Sequence, residues 1–276
     1  MSFLTSLSGL KAAQSDLSVV SNNIANSNST GFKKSRAQFG DLFAASPTQT
    51  TKMIAGQGTQ LQGITQQFTQ GTLESTDHTL DLAVAGDGFF TVKSPSTTAA
   101  ITYTRNGSFS VNNQRDVVDA TGNIVQLLPI DADGNITSTD AADMTNLRLP
   151  DADPNDPNAV LANIAVGTNG VLTATFSNGN QQALGALAMA SFDAVENLRP
   201  VGDAHWQATG LSGTAKLSQA GTGPLGTVRS GSLETANIDI TEELVSLIAA
   251  QRNFQANAQA IETANNMTQT IVNLQV

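Results

Sequence analysis

His78 and His205 are the only imidazoles in this 276-residue chain, and no local metal-ligand spacing joins them. There is no cysteine, which removes disulfides, thiolate catalysis and sulfur-ligated metal together. Asp131-Ala132-Asp133-Gly134 has the look of a calcium loop. An EF-hand, however, wants glycine sixth and a bidentate glutamate twelfth, whereas Gly134 comes fourth from Asp131 and no glutamate follows in the loop. Carboxylates such as Asp131 and Asp133 could do acid/base work, but any acidic surface supplies such pairs. No serine sits in a nucleophile-elbow sequence, and Gly56-Gln57-Gly58 and Gly86-Asp87-Gly88 miss phosphate-loop spacing and read as turns. The expectation is no catalytic residue, no metal and no cofactor.

Charge narrows the partners. The formal net charge is −10 with only 13% charged residues, and the one local basic cluster is Lys33-Lys34-Arg36. Such a chain cannot neutralise a phosphate backbone, so nucleic acid is excluded as a partner. No stretch approaches the roughly 20 apolar residues needed to span a bilayer, so membrane insertion is not expected. Met1 to Leu10 lacks a basic start and its apolar residues are periodic, unlike a cleaved secretory signal. With 39% hydrophobic residues the chain can still bury a substantial core.

The elements that organise the chain lie at its ends. Thr241-Glu242-Glu243-Leu244 opens the longest stretch of helical spacing, a hydroxyl able to cap followed by two carboxylates near the positive end of the dipole. Leu247, Phe254 and Ile261 fall seven apart, and after a three-residue skip the stripe continues as Ala264, Met267, Ile271 and Leu274. With no glycine or proline after Asp239, the helix predicted to Val276 would be about 50 Å long. At the other terminus Phe3, Leu10, Leu17 and Ile24 repeat every seven, with Leu7, Ala13 and Val20 between them, predicting a helix from Ser2 to Asn26. The backs of both helices are Ser, Asn, Gln, Thr and Ala. Solvated helices carry more charge, so these faces suit packing against copies of the same chain, with a two-helix coiled coil closing a monomer as the alternative.

Between the helices the pattern changes twice. Phe32 to Phe68 is polar, with sparse anchors at Phe39, Leu42, Phe43, Met53, Ile54, Ile64 and Phe68, and reads as a structureless arm laid on a neighbouring subunit. From Gly71 to about Thr235 short apolar runs alternate with turn signals. Leu80 to Val84 and Phe89 to Val92 flank Asp87-Gly88 as a hairpin; Ile124 to Leu128, Val171 to Phe176 and Gln182 to Phe192 are further strands, with Asn178-Gly179 turning between the last two. Pro129 to Asn163 is acidic and proline-rich, read as an excursion whose prolines exclude central strands. The fold class is α+β: terminal helices in a coiled coil, a long connecting arm, and an all-β middle domain. Its divisions are 1–70 (first helix and arm), 71–128 (first β part), 129–163 (outer excursion), 164–235 (second β part) and 236–276 (last helix).

Asn22-Asn23-Ile24-Ala25-Asn26 after Ser21, followed by Thr30-Gly31-Phe32-Lys33, resembles the N-terminal signature of the bacterial flagellar rod and hook subunits. Gly231 to Leu244 resembles the family's junction into the last helix, and Gly202-Asp203-Ala204-His205-Trp206 a stretch of its middle domain. Within the family, Leu42-Phe43-Ala44, Gly63 to Gly71, Ala250 to Ile261 and Val272-Asn273-Leu274 look most like hook subunits. The resemblance implies a structural subunit of a hollow, bendable tube that transmits torque and passes export substrates, with the distal rod as alternative. It implies self-polymerisation through helix faces bearing Phe3, Leu7, Leu10, Leu17, Val20, Ile24, Leu244, Leu247, Phe254, Ile261, Met267, Ile271 and Leu274. It further implies rod, hook-filament junction and hook-cap proteins as partners, and a place in the extracellular flagellum reached without a cleaved signal. The shortness of the 129–163 segment departs from many hook proteins, which insert a larger outer domain there. The competing class is a secreted β-rich protein that binds or cleaves glycans, trimerised by its helices.

Overall fold

The computed structural model describes residues 2–43, 56–95, 100–131, 134, 136–154 and 156–273. Leu274 of the apolar stripe, Asp133 of the acidic loop, and Met53 and Ile54 of the arm lie outside them. The chain divides into two compact units, a terminal one (1–27, 34–67 and 238–276) and a middle one (28–33 and 68–237).

In the terminal unit, α1 (Ser2–Ala25) and α2 (Ile240–Asn273) pack together. A Cβ on Gly9 would meet the Asn257 side chain, and Asn23 hydrogen-bonds Glu243. Residues 9 to 23 and 257 to 243 cover equal lengths in opposite directions, so the helices run antiparallel in constant register. The inward face of α2 is Glu243, Leu247, Ala250, Phe254, Asn257, Ile261 and Ala264, a spacing of four and three that makes a regular heptad seam. On α1 the matching stripe is Leu10, Ala13, Leu17, Val20 and Ile24, with Leu7 half-buried one turn earlier. Asp239, rather than Thr241, caps α2: its Oδ1 accepts the amides of Thr241 at 2.8 Å and Glu242 at 3.2 Å. A carboxylate two residues earlier than expected adds charge stabilisation at the dipole's positive end.

The expected structureless arm is a hairpin. β1 (Ser35–Phe43) and β2 (Gly56–Gln66) pair antiparallel, Ser35 opposite Gln66, and β2 rests against α1 through the Thr59 amide, which donates to Ser8 Oγ at 3.2 Å. Gly56-Gln57-Gly58 is therefore part of a strand, not a turn. Gly58 has φ +112°, and a Cβ there would lie 2.0 Å from Ser8 Oγ. A bulge hides the pattern: Gln38 faces Gly63 but Phe39 faces Leu61, so Gln62 is the extra residue and Leu61 and Ile64 fall out of period two.

In the middle unit, the main path of the largest sheet runs Ala152–Asp153, Asp156–Val166, Val171–Phe176, Gln181–Leu187, Ile124–Leu128, Phe89–Lys93, Ile101–Thr104, His205–Gln207 and Arg199–Gly202. Its central strands are buried on both faces. Phe90 and Leu127 enter one core cluster with Leu172 and Leu187, while their neighbours Phe89 and Leu128 enter another with Tyr103 and Trp206. Each such side chain contributes about 1.5–3 kcal/mol by burial, and double-sided burial is why these strands carry apolar residues at adjacent positions, such as Phe89-Phe90 and Leu127-Leu128.

Two expectations fail here. Leu82–Ala85 pairs with Thr227–Ser230, and Phe89–Lys93 joins the large sheet, so Asp87-Gly88 changes sheets rather than closing a hairpin. Gly86 and Gly88 take φ +115° and +122°, well away from the values of a tight hairpin turn. Nor is 129–163 a detachable excursion. Leu147 and Leu149 are buried in the main core, Thr145–Asn146 pairs with Ile124–Leu128, and Asp156–Val166 lies second from the sheet's end. Pro157 is tolerated because it is the second residue of that strand, beside the register shift between Ala152 and Asp153 of the edge strand.

Candidate functional site

The motif residues near the end of α1 build two buried polar locks, one in each unit. In the terminal unit, Asn23 is buried, its Nδ2 donating to Ser35 O at 2.9 Å and its Oδ1 accepting the Ser35 amide at 3.0 Å. The side chain thus pairs with β1 as another strand would. Nδ2 also donates to Glu243 Oε2 at 3.2 Å, and Lys34 Nζ lies 2.9 Å from Glu243 Oε1. Burial alone would lower the Lys34 pKa, but the hydrogen bond and charge of Glu243 outweigh it and raise it. Asp16 is pushed up, first by burial and then by Glu243. Asn22 and Asn26 finish the helix: the Asn26 amide and its Nδ2 both donate to Asn22 O. Ile24 is half-buried and Ala25 exposed.

Asn23→Ala would orphan the Ser35 amide and strip a donor from buried Glu243, costing about 2 kcal/mol. Hydrogen exchange at Ser35 and the last turn of α1 should then accelerate about 30-fold. Unchanged protection would show that the pairing carries no weight.

In the middle unit, Glu234 is fully buried between two cations. Lys33 Nζ lies 2.7 Å from Oε1, Arg105 Nη1 3.3 Å from Oε2, and the Gly71 amide donates to Oε1 at 2.8 Å. Lys33 also donates to Thr69 O, and Arg105 to Gly86 O while its guanidinium stacks over Phe89. Burial pulls the Lys33 and Arg105 pKa values down against the support of Glu234. Gly31 donates its amide to Glu234 O; its φ is +70°, and a Cβ would fall 2.5 Å from the Asn106 backbone nitrogen, so only glycine fits. Thr30 and Phe32 are half-buried beside it in sequence. Glu234 and Glu243 fall in the Gly231 to Leu244 junction stretch, which does not say what they pair with, and Arg105 carries no sequence motif.

His205 is buried, with Nε2 2.7 Å from Asp119 Oδ2 and Nδ1 2.8 Å from Asp203 O. Burial opposes the imidazolium, but the hydrogen bond and charge of Asp119 prevail and raise its pKa. Asp119 is also opposed by burial, yet His205, Thr121 and Asn123 hold its carboxyl far below the usual range. The raised histidine stabilises the fold below about pH 6.5, its unfolded value, and that increment is lost as pH climbs through the folded value. The depressed aspartate stabilises above its unfolded value and is lost only in strong acid. Urea midpoints read from Trp206, the single tryptophan, should therefore fall above pH 6.5. In His205→Gln that slope should vanish; a slope of equal size would refute the assignment. His78 is exposed.

The helix residues divide by exposure. Leu10, Leu17, Val20, Ile24, Leu247, Phe254 and Ile261 sit in the two-helix seam, half-buried or buried, and Leu7, also half-buried, faces the hairpin side of α1. Phe3, Leu244, Met267 and Ile271 point outward, with Ile240, Val245, Ile248 and Val272 also exposed. For Met267, Ile271 and Val272 the physical reason is length: α1 begins level with about Ala264, so among the described residues no helix runs alongside α2 beyond that point, whereas Leu244, Val245 and Ile248 lie alongside α1 and are exposed there. Among the described residues no group of three or more His, Asp or Glu could hold a metal, and no helix is long and apolar enough to cross a membrane.

Residues 3–33 match the family described as flagella basal body rod protein, 83–174 the flagellar hook protein FlgE/F/G D1 domain, and 229–274 the flagellar basal body rod FlgEFG protein C-terminal. The flagellar hook protein FlgE of Escherichia coli is 29% identical over 99% of this chain and all of its own length, in an alignment of 412 positions. The flagellar basal-body rod protein FlgG of Bacillus subtilis is 32% identical over 99% of this chain and 98% of its own. FlgG of Borreliella burgdorferi is 30% identical over 95% and 94%. Buried locks and exposed apolar helix faces are features that a structural subunit uses. The chain belongs to the flagellar hook and basal-body rod protein family, and its role is that of a flagellar axial structural protein.

Proposed function

We propose that this chain is the hook subunit, polymerising into a hollow, bendable tube that passes torque from rod to filament. The observation that carries the polymer is the set of large apolar side chains on α2 that the described residues leave exposed, from Ile240 to Ile248 and again at Met267 and Ile271. Large exposed apolar patches mark association surfaces. In the tube, the terminal unit forms the inner core and the middle unit the outer shell. Beyond Glu242 and Glu243, α2 carries only Arg252 and Glu262 as charges, which suits faces that touch neighbours or line a channel through which export substrates slide. Gly63 to Gly71 and Ala250 to Ile261 favour hook over rod. Rod, hook-filament junction and cap proteins are the remaining partners, met after export.

One observation favours the distal rod instead. The FlgG relatives align over 275 and 286 positions, close to this chain's length, whereas the E. coli hook protein carries sequence that this chain lacks. Complementation of a hook-null strain separates the two: a hook subunit restores a curved sleeve outside the outer membrane, visible by electron microscopy. Failure there, with rescue of a distal-rod null, would assign the chain to the rod.

A further inference from the structure

The apolar stripe of α2 changes phase where α1 ends. Up to Ala264 it follows the seam, but Met267 comes a second three-residue step after it, where the heptad calls for four, before Ile271 follows by four. Two short steps rotate the stripe around the helix, away from the direction of α1. Met267 and Ile271 are 61% and 60% exposed, and no charged residue occurs from Thr263 to Asn273. A continuous helix cannot fold back on itself, so this overhang, about 13 Å of helix past Ala264, must find cover elsewhere.

A recess of matching chemistry lies on the same unit. Leu4, Leu7, Leu42 and Leu61 line a groove of about 380 Å³ between α1 and the hairpin, edged by Ser8 and Thr59, with Lys11 its one charge. Among the described residues no side chain fills it.

We propose that the α2 overhang of one copy seats Met267 and Ile271 in the α1–hairpin groove of a neighbouring copy. The occupant is a second copy because knob and hole are different surfaces of one unit. Such a contact is heterologous, and when it does not close into a ring it propagates as a helix. Both surfaces lack opposing charge, so the contact is held by burial and is insensitive to salt. The seat rests on the polymer reading above, and it names which surfaces meet.

The chain has no cysteine, so introduced thiols report contacts without background. Met267→Cys is mixed with Gln60→Cys, a rim residue of the groove, or with Ala249→Cys, on the exposed stripe of α2. The mixtures are polymerised with wild-type chain and oxidised. A 267–60 heterodimer that forms in tubes and not in dilute monomer is the expected result. A 267–249 heterodimer, or tubes with no 267–60 product, would overturn the seat while leaving the polymer intact. Absence of tubes from wild type would remove the polymer reading and the seat with it. Leu61→Glu should raise the critical concentration at least about tenfold, with circular dichroism unchanged. Leu211→Glu, on the middle unit, should not raise it, and tubes formed as readily by Leu61→Glu would overturn the seat independently.

Discussion

Glu234→Gln should destabilise the middle unit by about 3–5 kcal/mol, because it leaves Lys33 and Arg105 buried side by side without a counter-ion. The amide keeps the shape and can still accept from Gly71, so the loss isolates the charge. Lys33, whose pKa burial already lowers, would shed its proton more readily in the variant. The folded state then binds fewer protons than the unfolded one, so the variant's stability should rise with pH toward about 10. Urea unfolding followed by Trp206 fluorescence at pH 7 and 9.5 reads both effects. Lys33→Met should cost less, because Glu234 keeps Arg105 and the Gly71 amide. A loss below about 1 kcal/mol for Glu234→Gln would mean that the triad is solvated and structurally idle.

Phe254→Asp should abolish polymerisation. Phe254 lies in the heptad seam facing α1, half-buried in the isolated chain. A carboxylate there loses several kcal/mol of solvation with no cation placed to meet it. The penalty recurs at every subunit, so even a partial effect per contact removes the tube. Trp206 belongs to the other unit, and its unfolding midpoint should not move. Sedimentation and negative-stain microscopy read the first outcome, urea unfolding the second. Normal tubes would show that the seam is misplaced.

What the sequence made legible was local. Ile124–Leu128 and Val171–Phe176 coincide with observed strands, because apolar runs bounded by turn residues need no distant information. The Asn178-Gly179 turn closes its hairpin for the same reason, with Gly179 at φ +86°. The hairpin of residues 35–66 stayed hidden because the bulge at Gln62 breaks its alternation. Asp87-Gly88 misled because the dipeptide specifies a turn but not which strands it joins. In the 129–163 segment, buried Leu147 and Leu149 sit among acidic and turn-forming residues that describe only the surface.

The candidate site was half legible. Asn23, Gly31 and Lys33 stood out through the family signature, but their work did not, since their partners Glu243, Asn106 and Glu234 lie elsewhere in the chain. The heptad at Leu247, Phe254 and Ile261 was visible, and so was a break in it, which falls after Ala264. Only the length of α1 explains the latter: the phase changes where the partner helix stops.

Electron cryomicroscopy of polymer grown from the purified full chain tests the central claim most directly. The account predicts a hollow helical tube whose inner wall is made of the α1–α2 pairs and whose outer layer is the β unit. Discrete particles at every concentration, or tubes with the helices outside and the β unit lining the channel, would contradict it.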